Sequence, residues 1–221
     1  MPEAVVFDLD YTLAVPTRDR ETVLQEAVDA ADAPALTREE YLAAHRRNLT
    51  RETREPIFAD LLADQDTDTD PAELATAYRE TIASVIEPLP GVEAMLADLK
   101  RDYRVGLLTN GPVRAQRDKL ETLGWTESFD AALVTGELEA GKPDPRAFEA
   151  IADALGVDPT ATVYVGDELE ADIVGATEAG MDAIQVLLED GPGPDSRAIA
   201  HVEQGSVAST VPDLITSLER L

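Results

Sequence analysis

Five short, nearly unbroken apolar runs punctuate the chain, at residues 4–7 (AVVF), 104–108 (RVGLL), 131–134 (AALV), 162–165 (TVYV) and 183–187 (AIQVL), each followed by a stretch of helical pattern. A strand with one wet face alternates apolar and polar residues. A continuous run suits a parallel strand covered on both faces, with the intervening helices as right-handed crossovers. The pattern therefore predicts an α/β protein. Local punctuation agrees: Pro112 opens a segment ending at Gly124, Pro143-Asp144-Pro145 precedes one ending at Gly156, and Gly180 closes a third.

Between about Val15 and Pro88 the period changes. Ala27, Val28 and Ala31 form one apolar stripe, Ile57, Leu61 and Leu62 a second, and Leu74, Tyr78, Ile82 and Val85 a third, with no convincing strand among them. A helical insert is expected here. The stretch from Asp64 to Pro71 reads as a turn between two of its helices. Its alternating aspartates resemble a calcium loop only weakly, because the sixth-position glycine and twelfth-position glutamate are missing.

At 221 residues the chain has room for one domain, or one domain carrying an insert. Composition narrows the class further: 45 Asp and Glu face 18 Lys and Arg, a formal net charge of −27, while 44% of residues remain hydrophobic. Such a charge opposes nucleic-acid binding, and no basic patch relieves it. No apolar run is long enough for a membrane span, and the N-terminus lacks a secretory pattern, so no membrane partner and a cytoplasmic protein are expected. Cysteine is absent, which removes thiolate metal sites and cysteine nucleophiles. Only Lys100, Lys119 and Lys142 are lysines, and the acids are spread along the whole chain. This distribution reads as adaptation to a salt-rich cytoplasm, that is, a halophilic source of haloarchaeal type, rather than as an acidic docking surface.

Candidate chemistry gathers where strands end. The first strand runs into Asp8-Leu9-Asp10-Tyr11-Thr12, and in an open parallel sheet the carboxyl ends of the strands line the ligand crevice. Two carboxylates there can bind a hard cation, and one can attack phosphorus while the other shuttles a proton. After the second run come Thr109-Asn110-Gly111, a hydroxyl and an amide at a helix start whose dipole favours an oxyanion. Gly141-Lys142-Pro143 places a scarce lysine in a loop, and Gly166-Asp167, with Asp172 beyond it, follows the fourth run.

These four segments resemble the motifs of the haloacid dehalogenase-like hydrolase superfamily: Asp8-Leu9-Asp10-Tyr11-Thr12 the first, Thr109-Asn110-Gly111 the second, Lys142-Pro143 the third, and Gly166-Asp167 with Asp172 the fourth. Leu89-Pro90-Gly91-Val92, Ile173-Val174-Gly175-Ala176 and Ala179-Gly180-Met181 extend the resemblance over nearly the whole chain. One departure is Ala171, where many relatives carry a polar residue. The resemblance implies a Rossmann-like core, a three-layer parallel sheet over residues 1–14 and 89–221, with an α-helical cap domain over 15–88. It also implies a phosphatase acting on a small phosphorylated metabolite. Asp8 would be the nucleophile, Asp10 the acid and then the base, and Thr109, Asn110 and Lys142 the phosphate binders. Mg²⁺ would be held by Asp8, the Asp10 carbonyl and Asp167, with Asp172 orienting Lys142 or a metal-bound water. Asp10 separates this chain from the dehalogenase branch, and the lack of lysine between Val15 and Pro88 separates it from the phosphonate-cleaving branch. A sugar-phosphate mutase and a non-catalytic binding protein on the same fold are the alternatives. Oligomeric state is not legible.

Specificity is expected in the cap. Arg46, Arg47, Arg51 and Arg54 interrupt the acidic chain there, and on one helix Arg47, Arg51 and Arg54 would share a face, able to read a carboxylate or second phosphate or to pair with Glu39, Glu40, Glu52 and Glu55. His45, His201 and Trp125 read as surface or packing residues.

Overall fold

The computed structural model describes residues 1–218. All five apolar runs are strands, named here β1 (Ala4–Phe7), β4 (Arg104–Thr109), β5 (Ala131–Val134), β6 (Thr162–Gly166) and β7 (Asp182–Leu187). A sixth, β8 (Ala200–Glu203), joins them in one fully parallel sheet of order β5-β4-β1-β6-β7-β8. β8 escaped the pattern because it is an edge strand on which Val202 alone is buried. The apolar continuity of β1 has the expected cause. Val5 and Phe7 join one buried cluster with Val92, Leu96, Val211 and Ile215, while Ala4 and Val6 join another with Phe148, Ile151 and Ala152. The first cluster is supplied by α5 (Val92–Leu99) and α9 (Val207–Leu218), the second by α7 (Pro145–Leu155) and α8 (Gly175–Glu178), which makes three layers.

Local chemistry sets the ends. Asp144 accepts a hydrogen bond from the Arg146 N–H ahead of Pro145, and Gly156 ends α7 in the left-handed conformation at φ 70°. α6 (Val113–Thr122) follows β4, and its N-cap, Pro112, offers no side-chain acceptor.

Between the ends of a small antiparallel pair, β2 (Ala14–Pro16) and β3 (Ile86–Pro88), lie four helices: α1 (Arg20–Ala30), α2 (Arg38–Arg47), α3 (Glu55–Leu62) and α4 (Pro71–Ala83). They bury a cluster of their own around Leu24, Tyr41, Phe58, Leu74 and Tyr78. The two short strands at the insert's neck carry no apolar periodicity and were not anticipated. The expected turn is the loop between α3 and α4, which ends at Asp70, and Asp70 caps α4 by accepting from the Ala72 N–H. One expectation fails here: α2 stops at Arg47, Arg51 lies in the loop beyond it, and Arg54 caps α3, so Arg47, Arg51 and Arg54 share no helix face. Asn48, at the C-cap of α2, turns its amide onto the Ala44 carbonyl and Asp60 instead.

Candidate active site

The central strand β1 ends at Phe7, and its neighbours β4 and β6 end at Thr109 and Gly166. Asp8, Thr109 and Asp167 therefore emerge side by side where the strand order reverses. Lys142, from the loop ahead of α7, reaches into this crevice and is 3% exposed. Its Nζ donates to Asp8 Oδ1 at 2.8 Å, to Asp172 Oδ1 at 2.6 Å and to the Tyr164 hydroxyl at 2.8 Å, so all three ammonium hydrogens have acceptors. Asp8 Oδ2 has no protein partner among the described residues. Burial disfavours the charged form of Lys142. Asp172 and Asp8 outweigh it and hold the lysine well above its ordinary value.

Asp8, Asp167 and Asp172 each offer a carboxylate oxygen within 4.8 Å of the others, and all three are buried. One ammonium does not balance three carboxylates. Burial, then the Asp172 charge, pushes Asp8 up to about 7 against the pull of Lys142, and burial with Asp172 and Asp8 raises Asp167 well above the carboxylate range. Surplus negative charge on hard oxygen donors, with neither thiolate nor imidazole among them, fits a magnesium-type cation. Thr12 donates to Asp167 Oδ1 at 3.1 Å, and the Glu168 N–H donates to Asp172 Oδ2 at 2.9 Å. Asp172 sits on a wide π-type turn, Leu169–Val174, that folds its side chain over Gly166. A Cβ on Gly166 would lie 2.5 Å from the Asp172 carboxyl, so glycine is required by that crossing.

Asp10 is held differently. Lys119 Nζ donates to both its oxygens, at 2.7 Å and 2.6 Å, Gln116 Nε2 donates to Oδ2 at 2.9 Å, and Arg20 from α1 approaches Oδ1 at 3.2 Å. Burial works against ionisation, but Lys119 and Arg20 outweigh it and hold Asp10 far below the usual carboxylate range. Lys119 is pushed down to about 8 by burial, and by Arg54 and Arg20, against the pull of Asp10. The second Gln116 Nε2 hydrogen goes to Thr109 Oγ1 at 2.6 Å, which leaves the Thr109 hydroxyl hydrogen free to turn toward the crevice.

Two expectations about the second segment change. The Asn110 amide is engaged reciprocally with the Lys142 main chain: Nδ2 donates to the Lys142 carbonyl at 3.0 Å and Oδ1 accepts the Lys142 N–H at 2.9 Å. The start of α6 is not open to an oxyanion either, because the Val113 and Arg114 N–H groups donate to the carbonyls of Arg51 and Glu52, each at 3.0 Å. The insert caps the helix.

Of the four arginines, Arg46 and Arg47 are exposed, Arg47 near Asp60 at 3.5 Å, and Arg51 donates to Asn48 Oδ1. Arg54 alone turns inward, 7% exposed, over the Tyr78 ring at 5.1 Å and donating to the Tyr41 hydroxyl at 3.1 Å, with no acidic partner among the described residues. None pairs with Glu39, Glu40, Glu52 or Glu55. His45 stacks on Tyr41, and burial, then Arg54, Arg20 and Lys119, push it down to about 3, so it is neutral. Trp125 packs in the sheet cluster, and His201 lies at the surface.

Gln116, Lys119 and Tyr164 were missed. Each left a trace in the sequence: Gln116 and Lys119 are spaced three apart on one helix face, Lys119 is one of three lysines, and Tyr164 is a hydroxyl in an otherwise apolar strand.

A doubly wound parallel sheet with carboxylates and a buried lysine at its strand ends defines a Rossmann-like α/β protein with its crevice at the strand ends, and sequence comparison narrows the class. Residues 2–180 match the haloacid dehalogenase-like hydrolase family, and the chain belongs to it. A glyceraldehyde 3-phosphate phosphatase from Methanopyrus kandleri is 32% identical over 196 residues, 84% of each chain. The N-acylneuraminate-9-phosphatase of Rattus norvegicus is 40% identical over 129 residues, 58% of this chain and 52% of that protein. The chain thus spans about half the length of this last relative. Among solved structures, a 2-haloacid dehalogenase from Pseudomonas syringae superposes with a TM-score of 0.71 at 26% identity, covering 99% of this chain and 100% of the other. No helix among the described residues is long and apolar enough to cross a membrane.

Proposed function

We propose that the chain is a phosphatase that hydrolyses a small phosphorylated metabolite through an aspartyl-phosphate on Asp8, with the helical insert over residues 15–88 acting as a cap domain. The observation that carries this reading is the state of Asp8: Lys142 ties down Oδ1 at 2.8 Å and leaves Oδ2 without a protein partner. In the first half, Asp8 Oδ2 forms a bond to phosphorus, the bond from phosphorus to the leaving oxygen breaks, and Asp10, protonated from solvent once its Arg20 contact opens, gives that oxygen the proton. In the second half, water attacks phosphorus, Asp10 takes the water's proton, and the bond from Asp8 to phosphorus breaks to release phosphate. Lys142 and the Thr109 hydroxyl face the transferring oxygens, and Asn110 supports them by holding the Lys142 main chain. Asp8, Asp167 and the Asp10 carbonyl would hold Mg²⁺, with Asp172 fixing Lys142 beside it. When bound, the ion offsets charge on the phosphoryl group and orients Asp8.

Asp10 supports phosphoester over carbon–halogen chemistry, since a leaving halide needs no proton whereas a leaving alkoxide does. The named phosphatase relatives point the same way. Arg54, inward and without an acidic partner, is the arginine best disposed to meet an anionic part of the substrate. Asp8→Asn is expected to abolish phosphate release from 4-nitrophenyl phosphate, assayed with magnesium in molar KCl, while leaving the thermal melt in place. Turnover by that variant at the wild-type rate would refute the assignment.

A further inference from the structure

We propose that Lys119 is a positioning residue for Asp10: from the core helix α6, one turn beyond Gln116, it holds the Asp10 carboxylate in register with Asp8 through both halves of the reaction. The inference rests on the phosphatase reading and adds to it a residue that none of the four motifs contains.

A carboxylate has about four acceptor sites on its two oxygens. On Asp10 three are taken by hydrogen bonds, Lys119 at 2.7 Å on Oδ1 and Lys119 at 2.6 Å and Gln116 at 2.9 Å on Oδ2. Arg20 stands against the remaining site on Oδ1 as an ion pair at 3.2 Å. The carboxylate can exchange a proton with substrate or water there only if that contact opens. The Arg20 contact is the longest and comes from α1, on the insert. Lys119 and Gln116 come from α6, which follows β4, the strand paired to β1. A shift of the insert thus frees one site on Oδ1 and leaves the carboxylate anchored through α6.

The setting of Lys119 supports a dedicated role. It is 4% exposed, and Asp10 is its one acidic partner among the described residues. A buried ammonium is costly unless paired and hydrogen-bonded, so its retention here is tied to Asp10. The distribution of lysine agrees. In a chain whose other basic residues are arginines, Lys142 and Lys119 are both buried and each grips one aspartate of the first loop, while Lys100 lies partly exposed near Asp130.

The test separates positioning from a general loss of structure. With magnesium and molar KCl, Lys119→Met is compared with wild type on 4-nitrophenyl phosphate and on phenyl phosphate, whose leaving oxygen is the stronger base and leans harder on a proton from Asp10. The expected result is a fall in kcat/KM about tenfold larger on phenyl phosphate than on 4-nitrophenyl phosphate. In an Asp10→Asn background the same substitution should cost nothing further, because there is no carboxylate left to position. Equal losses on both esters, losses that multiply in the double variant, or rates within about twofold of wild type would each overturn the proposal. If Lys119→Met does not fold, Lys119→Gln carries the same comparison. A wild-type chain that releases no phosphate from either ester would instead overturn the phosphatase reading and remove the basis of this one with it.

Discussion

Lys142 gives each ammonium hydrogen its own acceptor, and two of the three acceptors are the carboxylates of Asp8 and Asp172, so one residue links the first and fourth motifs. Asp167 is outside that linkage. With Thr12 as its neutral donor it lies close to Asp8 and Asp172, and burial together with their charges raises its pKa. Asp167→Asn is therefore expected to leave the metal-free protein at least as stable as wild type while removing its response to magnesium. In molar KCl, magnesium at about a hundredfold over its Kd should stabilise wild type by roughly 2.7 kcal/mol relative to EDTA, a rise of several degrees in Tm. A full magnesium shift in Asp167→Asn would remove Asp167 from the proposed ligand set. At this scale the sequence was most informative where chemistry is local: Asp8, Asp167 and Asp172 follow strand ends, and strand ends are legible from apolar runs. Gln116, Lys119 and Tyr164 were hidden because their partners lie 106, 109 and 22 residues away, and no spacing rule connects them.

The elements explain why the second motif behaves unlike its reading from sequence. An uncapped helix start looks like an anion site, and Pro112 leaves α6 without a side-chain cap. The insert supplies the cap from its main chain instead. The carbonyls of Arg51 and Glu52 take the first two N–H groups, and Thr135 Oγ1 lies 3.4 Å from the Leu49 carbonyl on the same seam. This junction depends on Gly136. A Cβ there would sit 2.6 Å from both the Arg51 carbonyl oxygen and the Val113 nitrogen, main-chain atoms that cannot rotate away. Gly136→Ala should part the seam at a cost of about 2 kcal/mol. Amide exchange should accelerate at Val113 and Arg114 and stay slow at Val105 in the sheet; uniform acceleration, or none, would show that the seam is not held at Gly136. The helices and the five apolar strands were readable because period and burial coincide. β2, β3 and β8 were not, since they are short, lie at edges and bury little.

Across the whole molecule the acids greatly outnumber their possible partners: 45 carboxylates share 18 Lys and Arg, and two of the three lysines are committed to Asp8, Asp10 and Asp172 inside the site. Acids are therefore in large excess over bases at the surface. Folding brings them together, so self-repulsion opposes the compact state and long-range screening should relieve it. The Debye length falls from about 10 Å at 0.1 M salt to about 3 Å at 1 M, shorter than the typical spacing of surface charges. Moving from dilute buffer to molar KCl should then raise Tm on the order of 10 °C, corresponding to a few kcal/mol for a chain of this length. Screening can be separated from solvent effects by the choice of denaturant. Guanidinium chloride is a salt and urea is not, so stability should first rise and then fall in guanidinium chloride, and fall from the outset in urea. If Tm is flat in KCl and both denaturants act monotonically, the net charge of −27 is not limiting the fold. The surface acids would then need another explanation, and a cationic partner becomes the reading to pursue. If the guanidinium curve does turn over, the same screening also bears on the site: an anionic ester approaching Asp8 meets the protein's own field at long range, while the buried contacts of Lys142 are screened far less.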